Sequence, residues 1–507
     1  MRRRLSGAVL LGAVVLSTTG AAQDVEAQHS ALWGEAGEAW QAGGRLPDFS
    51  YAGYMRGESP IPQPGVDLNV RDFGATGDGE TDDSAAFVRA LSEAGGKTLL
   101  VPPGRYVITE VLEIGTSGTV LRGAGAQESV LFFPKPLNDI KPNWGATTTG
   151  QRTSNYSWSG GFVRVSGSWS KQRLALVNEG ARRGESSLAL SDCEGIKVGD
   201  ELRLVLKDTP ENTLARHLYA GDPGAVDNLK GHATETFIAR VTSVDSSAGR
   251  VQLDRALRTD VRAEWNPAVF RATSSVEHVG IENLGFDYPG GPYMGHFTEL
   301  GFNAISMGGV RHCWIRNVRI NDPDSGIFVS GVNITIDGLV ITSDRTPEKY
   351  RKATGHHGVT LGGQDNLLTA FDIRTRFMHG ITMTRGSAGN VVSAGRGLDL
   401  ALDHHCYGNH SNLFTDIDLG EGSRMLQSGG GAKLGRHSGA LETFWCVRGR
   451  RSQSWPVGWG PDRMNFVGVR TDVGGVTDLE GRWFEAIPPE ALTPRNLHQA
   501  QLARRLR

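Results

Sequence analysis

Short runs of alternating apolar and polar residues, separated by glycine, asparagine and aspartate, recur through the second half of the chain. One five-residue phrase returns four times, and its starts are 22, 32 and 22 residues apart. Strands this short at such a period predict a β-solenoid, because each coil buries its apolar face only against its neighbours. The phrases begin at Asn303, Ser325, His357 and His379.

A second alternating run follows the phrases, as expected of a coil that contains more than one strand. Coils of equal length stack with equivalent residues above one another, so the first residues of the four phrases are predicted to form one outer column. The second runs are 314–320, 334–341, 367–373 and, later, 412–419.

The same patterns divide the chain into six segments. A basic start, an apolar stretch and small residues at the end predict a secretory signal, so we expect a secreted protein, periplasmic or extracellular. The coil rhythm is lost in one internal region, which alternates like an antiparallel sheet and predicts an inserted β-barrel or sandwich. The segments are a signal peptide (1–22), an aromatic strap (23–65), the first coils with a capping helix (66–164), the insert (165–275), the main coils with the active groove (276–493) and a C-terminal cap helix (494–507).

Composition and charge give no reason to expect nucleic acid, a membrane or zinc as a binding partner. The 68 glycines in 507 residues are about twice the usual share, as a turn-rich β protein requires. A net charge of −2 gives no reason to expect nucleic acid, and no segment after the signal is apolar for long enough to cross a membrane. Four cysteines lack the close pairing of a zinc site, so they predict structural thiols or one disulfide. They are Cys193, Cys313, Cys406 and Cys446.

A family resemblance appears before the insert. It includes 69–83, which runs into a predicted helix at 84–94 that Asp82 or Asp83 can cap, and continues through 98–106 and 119–125. This stretch resembles the N-terminal motif of the pectate-lyase-like superfamily of secreted right-handed parallel β-helix proteins. The resemblance implies an all-β parallel β-helix whose helix plugs one end. Hydrolases, lyases, epimerases and phage tailspikes share this motif, so it does not select a reaction.

The column of phrase starts carries the candidate chemistry. His357 and His379 are in register, and the next coil offers Asp403 followed by His404 and His405. In a solvent-filled groove such imidazoles act as bases and donors near neutral pH. Successive strand residues point to opposite sides, so one histidine of each adjacent pair is expected to face the groove. The choice between His404 and His405 stays open. Substrate-binding candidates around this column are Asp324, His356, Arg376, Asp403, His410, Lys433, Arg436 and His437.

Cations and carboxylates near the column suggest further roles. Arg385, on the strand after the histidines, is the best candidate for gripping a carboxylate or sulfate, because its guanidinium matches planar anions. Carboxylate groups at Asp322 and Asp324, or at 416–421, would suit calcium, but they lack a loop of defined spacing, and no metal ligand is assigned.

Two reactions compete for this groove. A hydrolase needs two carboxyl groups across the scissile bond, whereas a lyase needs a base and a cation that neutralises the uronate carboxylate. The stretches 321–326 and 355–363 resemble motifs of the pectin-hydrolase branch, but the adjacent aspartate pair between them and the Arg-Ile-Lys motif beyond are missing.

The resemblance implies a polysaccharide substrate, and with it the sequence predicts a monomeric polysaccharide lyase that cleaves an extended anionic, uronic-acid polysaccharide by β-elimination. The base and acid would come from His357, His379 and the His404–His405 pair, and Arg385 or Lys433 would neutralise the carboxylate. One alternative is a glycoside hydrolase of an acidic or sulfated polysaccharide that uses Asp324 with Asp403 or Asp399. The other is a non-catalytic glycan-binding β-helix protein.

Overall fold

Parallel strands stacked coil upon coil form the body of the protein. The computed structural model describes residues 26–229, 234–349, 351–471, 477 and 481–507. The predicted signal peptide lies outside these residues. Over the described chain, two long parallel sheets and an inserted antiparallel sheet account for all but one hairpin. The predicted parallel β-helix is confirmed.

The larger sheet has 16 strands, and most of its neighbours are strands of successive coils. Its strands are β1 (Leu68–Asn69), β2 (Asp78–Asp82), β3 (Thr98–Val101), β4 (Gly104–Val107), β6 (Val120–Gly123), β7 (Ser129–Phe132), β17 (Gly280–Asp287), β19 (Trp314–Asn321), β21 (Thr335–Thr342), β23 (Leu367–Thr369), β24 (Asp372–Ile373), β26 (Val391–Gly397), β28 (Leu413–Asp418), β29 (Thr443–Arg448), β30 (Asn465–Val469) and β31 (Trp483–Glu485).

The second sheet has seven strands and carries the repeated phrases. Its members are β5 (Leu112–Ile114), β10 (Val163–Ser166), β18 (Asn303–Arg311), β20 (Ser325–Val332), β22 (Gly355–Gln364), β25 (Phe377–Met383) and β27 (Leu402–His404). Asn303 pairs with Ser325, Ser325 with His357, and His357 with His379. The predicted column is confirmed residue by residue.

The insert is a six-stranded antiparallel sheet with its own apolar core. Its strands are β11 (Arg173–Leu176), β12 (Ser187–Ala189), β13 (Glu201–Lys207), β14 (Thr234–Asp245), β15 (Arg250–Leu253) and β16 (Ala268–Arg271), and a separate hairpin pairs β8 (Trp144–Ala146) with β9 (Arg152–Ser154).

Helices are short and peripheral. The α-helices are α1 (Ser84–Glu93), α2 (Leu137–Ile140), α3 (Thr213–Leu218) and α4 (Leu497–Arg505), and 3₁₀ turns occupy Tyr54–Gly57, Val70–Phe73, Asn155–Ser157 and Ala263–Trp265. Asp82 accepts a hydrogen bond from the Ser84 amide at 3.0 Å, and Phe87 and Ala90 of α1 pack into the core of the first coils. Among the described residues, no helix is long and apolar enough to cross a bilayer.

An uninterrupted apolar ladder runs through the stack. Leu121, Ile281 and Ile315 occupy one position in consecutive coils, and Phe414, Phe444 and Phe466 continue the same position downstream. Phe414 and Phe444 stack with ring centroids 5.1 Å apart. Each ladder side chain is buried only because the coil above covers it, so a slip of one residue would expose the whole set.

A buried asparagine ladder stabilises one turn of the coils. The side-chain amide of Asn366 donates to Asn390 Oδ1 at 2.9 Å, that of Asn390 to Asn412 Oδ1 at 2.9 Å, and that of Asn412 to Glu442 Oε1 at 2.8 Å. The same oxygens accept backbone amides, such as Asn390 Oδ1 from the Asn366 amide at 3.0 Å. The ladder therefore satisfies turn amides that no strand can pair.

The strap and helix α4 meet on one side of the stack. Trp33 and Phe49 of the strap are buried against Leu413, Trp445 and Leu497. The Leu497 amide donates to Thr415 Oγ1 at 3.0 Å, and Gln501 bonds the strap at Phe49 and Pro47. Helix α4 was expected to cover the last coil, but it is a lateral clasp, because its apolar side matches the strap and β28.

All four cysteines are buried thiols without a disulfide. Of the two predicted alternatives, the structure selects the thiols.

Removing one rung of the asparagine ladder should destabilise the protein. Asn390→Ala removes the oxygen that accepts the Asn366 amides and removes the side-chain donor to Asn412 Oδ1. We expect these lost hydrogen bonds inside the stack to lower the unfolding free energy by about 2–3 kcal/mol. Urea titration followed by circular dichroism measures it. Asn178→Ala, at an exposed position, is the control and should leave the midpoint unchanged. Equal midpoints for both variants would show that the ladder contributes nothing.

The contact between helix α4 and the strap should become less stable in acid. Burial lowers the pKa of His498 from 6.5 to about 4, with Arg505 and Asp48 as the charged groups nearby. The unfolded chain therefore takes up a proton before the folded one, and stability is lost as pH falls from 6.5 towards 4, by up to about 3 kcal/mol. His498→Gln should remove this part of the acid sensitivity in urea titrations across that range, whereas His29→Gln, at an exposed histidine near the same clasp, should not. An unchanged pH profile in His498→Gln would contradict the assignment.

Candidate functional site

Coil registry brings the two predicted column histidines into contact. His357 on β22 and His379 on β25 pair across the sheet, and their rings stack with centroids 4.8 Å apart and planes at 27°. The 22-residue repeat thus converts a separation along the chain into a ring contact.

The structure decides between His404 and His405. His404 lies in register with Met383 and points into the stack, where its ring packs on Trp459 at 4.7 Å. His405 comes after the end of β27 and turns its ring towards His379, at 4.6 Å between centroids. Only His405 joins the site.

Two further histidines complete what we call the histidine cluster: His296, His356, His357, His379 and His405. The rings of His356 and His357 lie 4.2 Å apart, so the expectation that only one of this pair faces the site is wrong. Both residues lie on β22, so strict strand alternation does not hold for this pair. His296, on the loop between β17 and β18, lies 4.5 Å from the His356 ring.

Asp403 links three members of the cluster. Its Oδ2 lies 2.6 Å from His405 Nδ1 and its Oδ1 lies 3.4 Å from His379 Nδ1. Thr382 donates to Asp403 Oδ2 at 2.7 Å, which leaves the Thr382 oxygen facing His357 Nδ1 at 3.3 Å. The amide of Gly429 donates to Asp403 Oδ1 at 2.7 Å. Asp403 therefore orients the histidines, and substrate does not reach it, because it is fully buried.

Electrostatics divide the cluster into neutral rings and one more basic ring. Burial and the neighbouring imidazoles hold the pKa of His356 and His357 well below the ordinary value. Burial opposes ionisation of Asp403, but His405 and His379 hold its pKa well below the usual range. Burial also opposes charge on His405, yet Asp403 outweighs it and raises the pKa of His405.

A second carboxyl group lies behind His356. Glu299 Oε1 is 3.5 Å from His356 Nδ1 and also accepts a hydrogen bond from the Tyr293 hydroxyl. Burial, with the charge of Asp324 adding to it, raises the pKa of Glu299 to about 7.

The sequence predicted that the histidine column lines an open groove, and the structure contradicts this. His357 and His379 are each only 4% exposed, because the loop of His296 and the loop of Gly429 cover them. A Cβ at Gly429 would lie 2.7 Å from His379 Cε1 and 2.9 Å from His405 Cε1, so a glycine permits this approach. His405, with 22% of its side chain exposed, and the half-buried His296 form the accessible rim.

A groove of about 890 Å³ runs along the outer face of the second sheet beside the cluster. The side chains that line it include three cations and four aromatic rings, and the described lining contains no aspartate or glutamate. These seven residues are Lys141, Arg164, Arg385, Tyr156, Trp158, Phe328 and Tyr407.

Groove and cluster share a wall. The Phe328 ring lies 5.8 Å from His357, and Trp158 reaches His296 through Phe297, with centroid distances of 6.1 Å and 3.6 Å. The exposed Arg385 follows β25, and its guanidinium lies 5.3 Å from the Tyr407 ring. The His405 amide donates to the carbonyl of Met383, two residues before Arg385, at 2.8 Å.

Several predicted substrate-binding residues lie elsewhere or are occupied. Asp324 is held by Arg345 at 2.8 Å and by the amides of Gly301 and Phe302, and Arg376 pairs with Asp399 at 3.0 Å. His437 adjoins the cluster only through the Gly429 carbonyl, at 2.8 Å. The others face the insert: His410 contacts Glu235, Lys433 contacts Asp227, and Arg436 contacts Asp222.

The carboxylates considered for calcium are likewise engaged. Asp322 accepts bonds from Ser343 and the Asp344 amide, Asp416 pairs with Arg448, and Glu421 pairs with Arg451. In the part of the chain that the structure describes, the side chains that converge as potential metal ligands are all histidines. They form two overlapping triads, His296–His356–His379 and His357–His379–His405, and in each triad one ring nitrogen per residue lies within 4.8 Å of the other two.

Sequence reasoning missed His296, Glu299, Thr382 and Gly429. His296 and Glu299 lie on a loop outside the repeat, and Gly429 lies on an irregular segment after β28, so no periodicity marks them. Thr382 could have been found, because it pairs with Asp403 in the same register that aligned the histidines.

A family model, a solved structure and curated proteins are similar to parts of the chain. The family model described as "Rhamnogalacturonase A/epimerase, pectate lyase-like" matches residues 68–136, which include the resemblance seen in the sequence. The tailspike protein gp49 of Pseudomonas phage LKA1 aligns over 75% of this chain and 63% of its own, with a TM-score of 0.45 and 11% identity.

Two curated relatives come from Azotobacter vinelandii. Mannuronan C5-epimerase AlgE4 is 34% identical over 100 residues, which is 18% of this chain and 18% of the epimerase. Alginate lyase 7 is 30% identical over 103 residues, 18% of this chain and 12% of the lyase. The similarity thus spans a small part of either protein.

Proposed function

We propose that this parallel β-helix protein, whose residues 68–136 match a pectate-lyase-like family model, acts on an extended polysaccharide rich in uronic acids and cleaves it by β-elimination. The observation that carries this proposal is the groove: three cations and four aromatic rings, without a lining carboxylate, beside a histidine cluster. Aromatic faces stack on sugar rings, and the cations favour an anionic polymer.

The choice of elimination over hydrolysis rests on the carboxylates. A hydrolase needs an acid and a second carboxylate on opposite sides of the bond. The three aspartates considered for that role are each bound by other groups: Asp324 by Arg345, Asp399 by Ser423 and Arg376, and Asp403 by two histidines. A lyase needs only a base and a group that stabilises the carboxylate-bearing carbanion.

His405 is the proposed general base. It is the accessible histidine that Asp403 orients, at 2.6 Å, so its other ring nitrogen is available to remove the proton beside the uronate carboxylate. His357 and His379 are too enclosed for direct contact with a polymer and act as positioning residues.

Arg385 is the proposed partner of the substrate carboxylate. It lines the groove and is exposed. It follows Met383 by two residues, and the carbonyl of Met383 accepts a hydrogen bond from the His405 amide. The names of the two relatives, which refer to mannuronan and alginate, support uronic-acid polymers as the first substrates to test.

Loss of the base should abolish the reaction and leave the fold intact. Purified protein is incubated with uronic-acid and sulfated polymers, and the product is followed by ultraviolet absorbance of the new double bond and by reducing ends. We expect both signals from one uronic-acid polymer, and His405→Gln should lower kcat by about 10²–10⁴ without a shift in melting temperature. His29→Gln is the control.

Other results would redirect the proposal. Reducing ends without ultraviolet absorbance would mean hydrolysis, and a change of sugar configuration without chain shortening would mean epimerisation after the same proton removal. Binding with no change in any polymer would favour a non-catalytic glycan-binding protein.

Arg385 should matter only when the polymer carries carboxylates. Arg385→Ala should reduce kcat/KM on the uronic-acid polymer by about 10–100-fold, because one charge-assisted contact is lost. Arg385→Lys should recover part of it. Binding of a carboxyl-reduced polymer, measured by affinity electrophoresis, should be equal in wild type and Arg385→Ala. If Arg385→Ala weakened binding of the carboxyl-reduced polymer as much as that of the uronic-acid polymer, Arg385 would not recognise the carboxylate.

A further inference from the structure

We propose that His296, His356 and His379, in the histidine cluster beside the groove, bind a divalent transition-metal ion. The three residues come from a loop, from the start of β22 and from β25, so the fold builds the site from separate coils. One ring nitrogen of each lies within 4.8 Å of those of the other two, a distance that a single ion bridges after small side-chain adjustments.

Ring orientation selects this triad over the overlapping one. The His296 plane makes 78° with His356 and 65° with His379, and His356 makes 42° with His379, so the three rings can aim at a common point. His357 and His379 stack nearly parallel at 27°, so their lone pairs run side by side instead of converging. His357 and His405 therefore stay outside the coordination sphere.

Carboxylates stand behind both buried ligands. Glu299 Oε1 lies 3.5 Å from His356 Nδ1, and Asp403 Oδ1 lies 3.4 Å from His379 Nδ1. In metal sites a carboxylate beside one ring nitrogen holds its proton, orients the ring and leaves the other nitrogen as ligand. Packing between imidazole rings does not require a carboxyl group beside each ring, so the two acidic partners favour metal ligation.

The donor set identifies the kind of ion. Imidazole nitrogens suit zinc, copper, nickel and iron, whereas calcium and magnesium require oxygen ligands. Three protein ligands with one accessible side, here the half-buried His296, leave a coordination position for substrate or water. If the proposed lyase function holds, on which this last role rests, the ion would add to Arg385 a second positive charge, next to the base His405, whose ring lies 4.6 Å from His379.

Cobalt binding without any polymer tests the site. Untagged protein is dialysed against a chelator and titrated with Co²⁺, while visible ligand-field absorption reports coordination and elemental analysis reports stoichiometry. We expect one ion per chain in the wild type, at least about tenfold weaker binding in His296→Ala, and unchanged binding in the control His29→Ala. A large excess of Ca²⁺ should not displace the cobalt.

Three outcomes would overturn the inference: no stoichiometric cobalt in the wild type, equal affinity in His296→Ala, or displacement by calcium. Loss of binding in His357→Ala with full binding in His296→Ala would assign the ion to the other triad and also reject it. His296 lies on a surface loop, so His296→Ala should keep the wild-type melting temperature of the metal-free protein. Cobalt binding without cleavage of any polymer would support the metal site and contradict the proposed lyase function. Full activity in protein that binds no metal would support the lyase function and contradict the metal site.

Discussion

The in-register stacking of coils is the constraint on which every other feature depends. The apolar ladder that includes Phe414, Phe444 and Phe466 is buried only while each coil keeps its neighbour's register. The same register aligns His357 with His379 and Thr382 with Asp403. Packing inside the stack and chemistry outside it are therefore coupled: a coil that shifts by one residue loses its core and its site together.

Much of the fold could be predicted because repetition is visible in one dimension. The phrase period determined the column through Asn303, Ser325, His357 and His379, and strand alternation indicated that one residue of the His404–His405 pair would turn inward. The closure of the site could not be predicted. It arises from His296 and Gly429, which belong to irregular connections whose paths depend on tertiary contacts and not on period.

Alternation failed for one pair of adjacent residues. His356 and His357 are consecutive on β22, yet both rings reach the cluster and lie 4.2 Å apart. Asp403 also differs from the prediction. Its sequence position suggested a substrate contact, but the fold buries it beneath His379 and His405, where its charge organises imidazoles. Carboxylates at such positions support the chemistry of their neighbours instead of touching the polymer.

The insert is joined to the coils by buried charge. Asp365, in the turn after β22, accepts hydrogen bonds from Arg255 at 2.8 Å and from Arg258, and Glu235 of β14 lies 3.0 Å from His410. All of these groups are almost fully buried, so separating the insert from the stack would leave uncompensated charges. Such contacts favour a rigid attachment over a hinged domain. They also explain why His410 is absent from the cluster, because its ring contacts Glu235 of the insert.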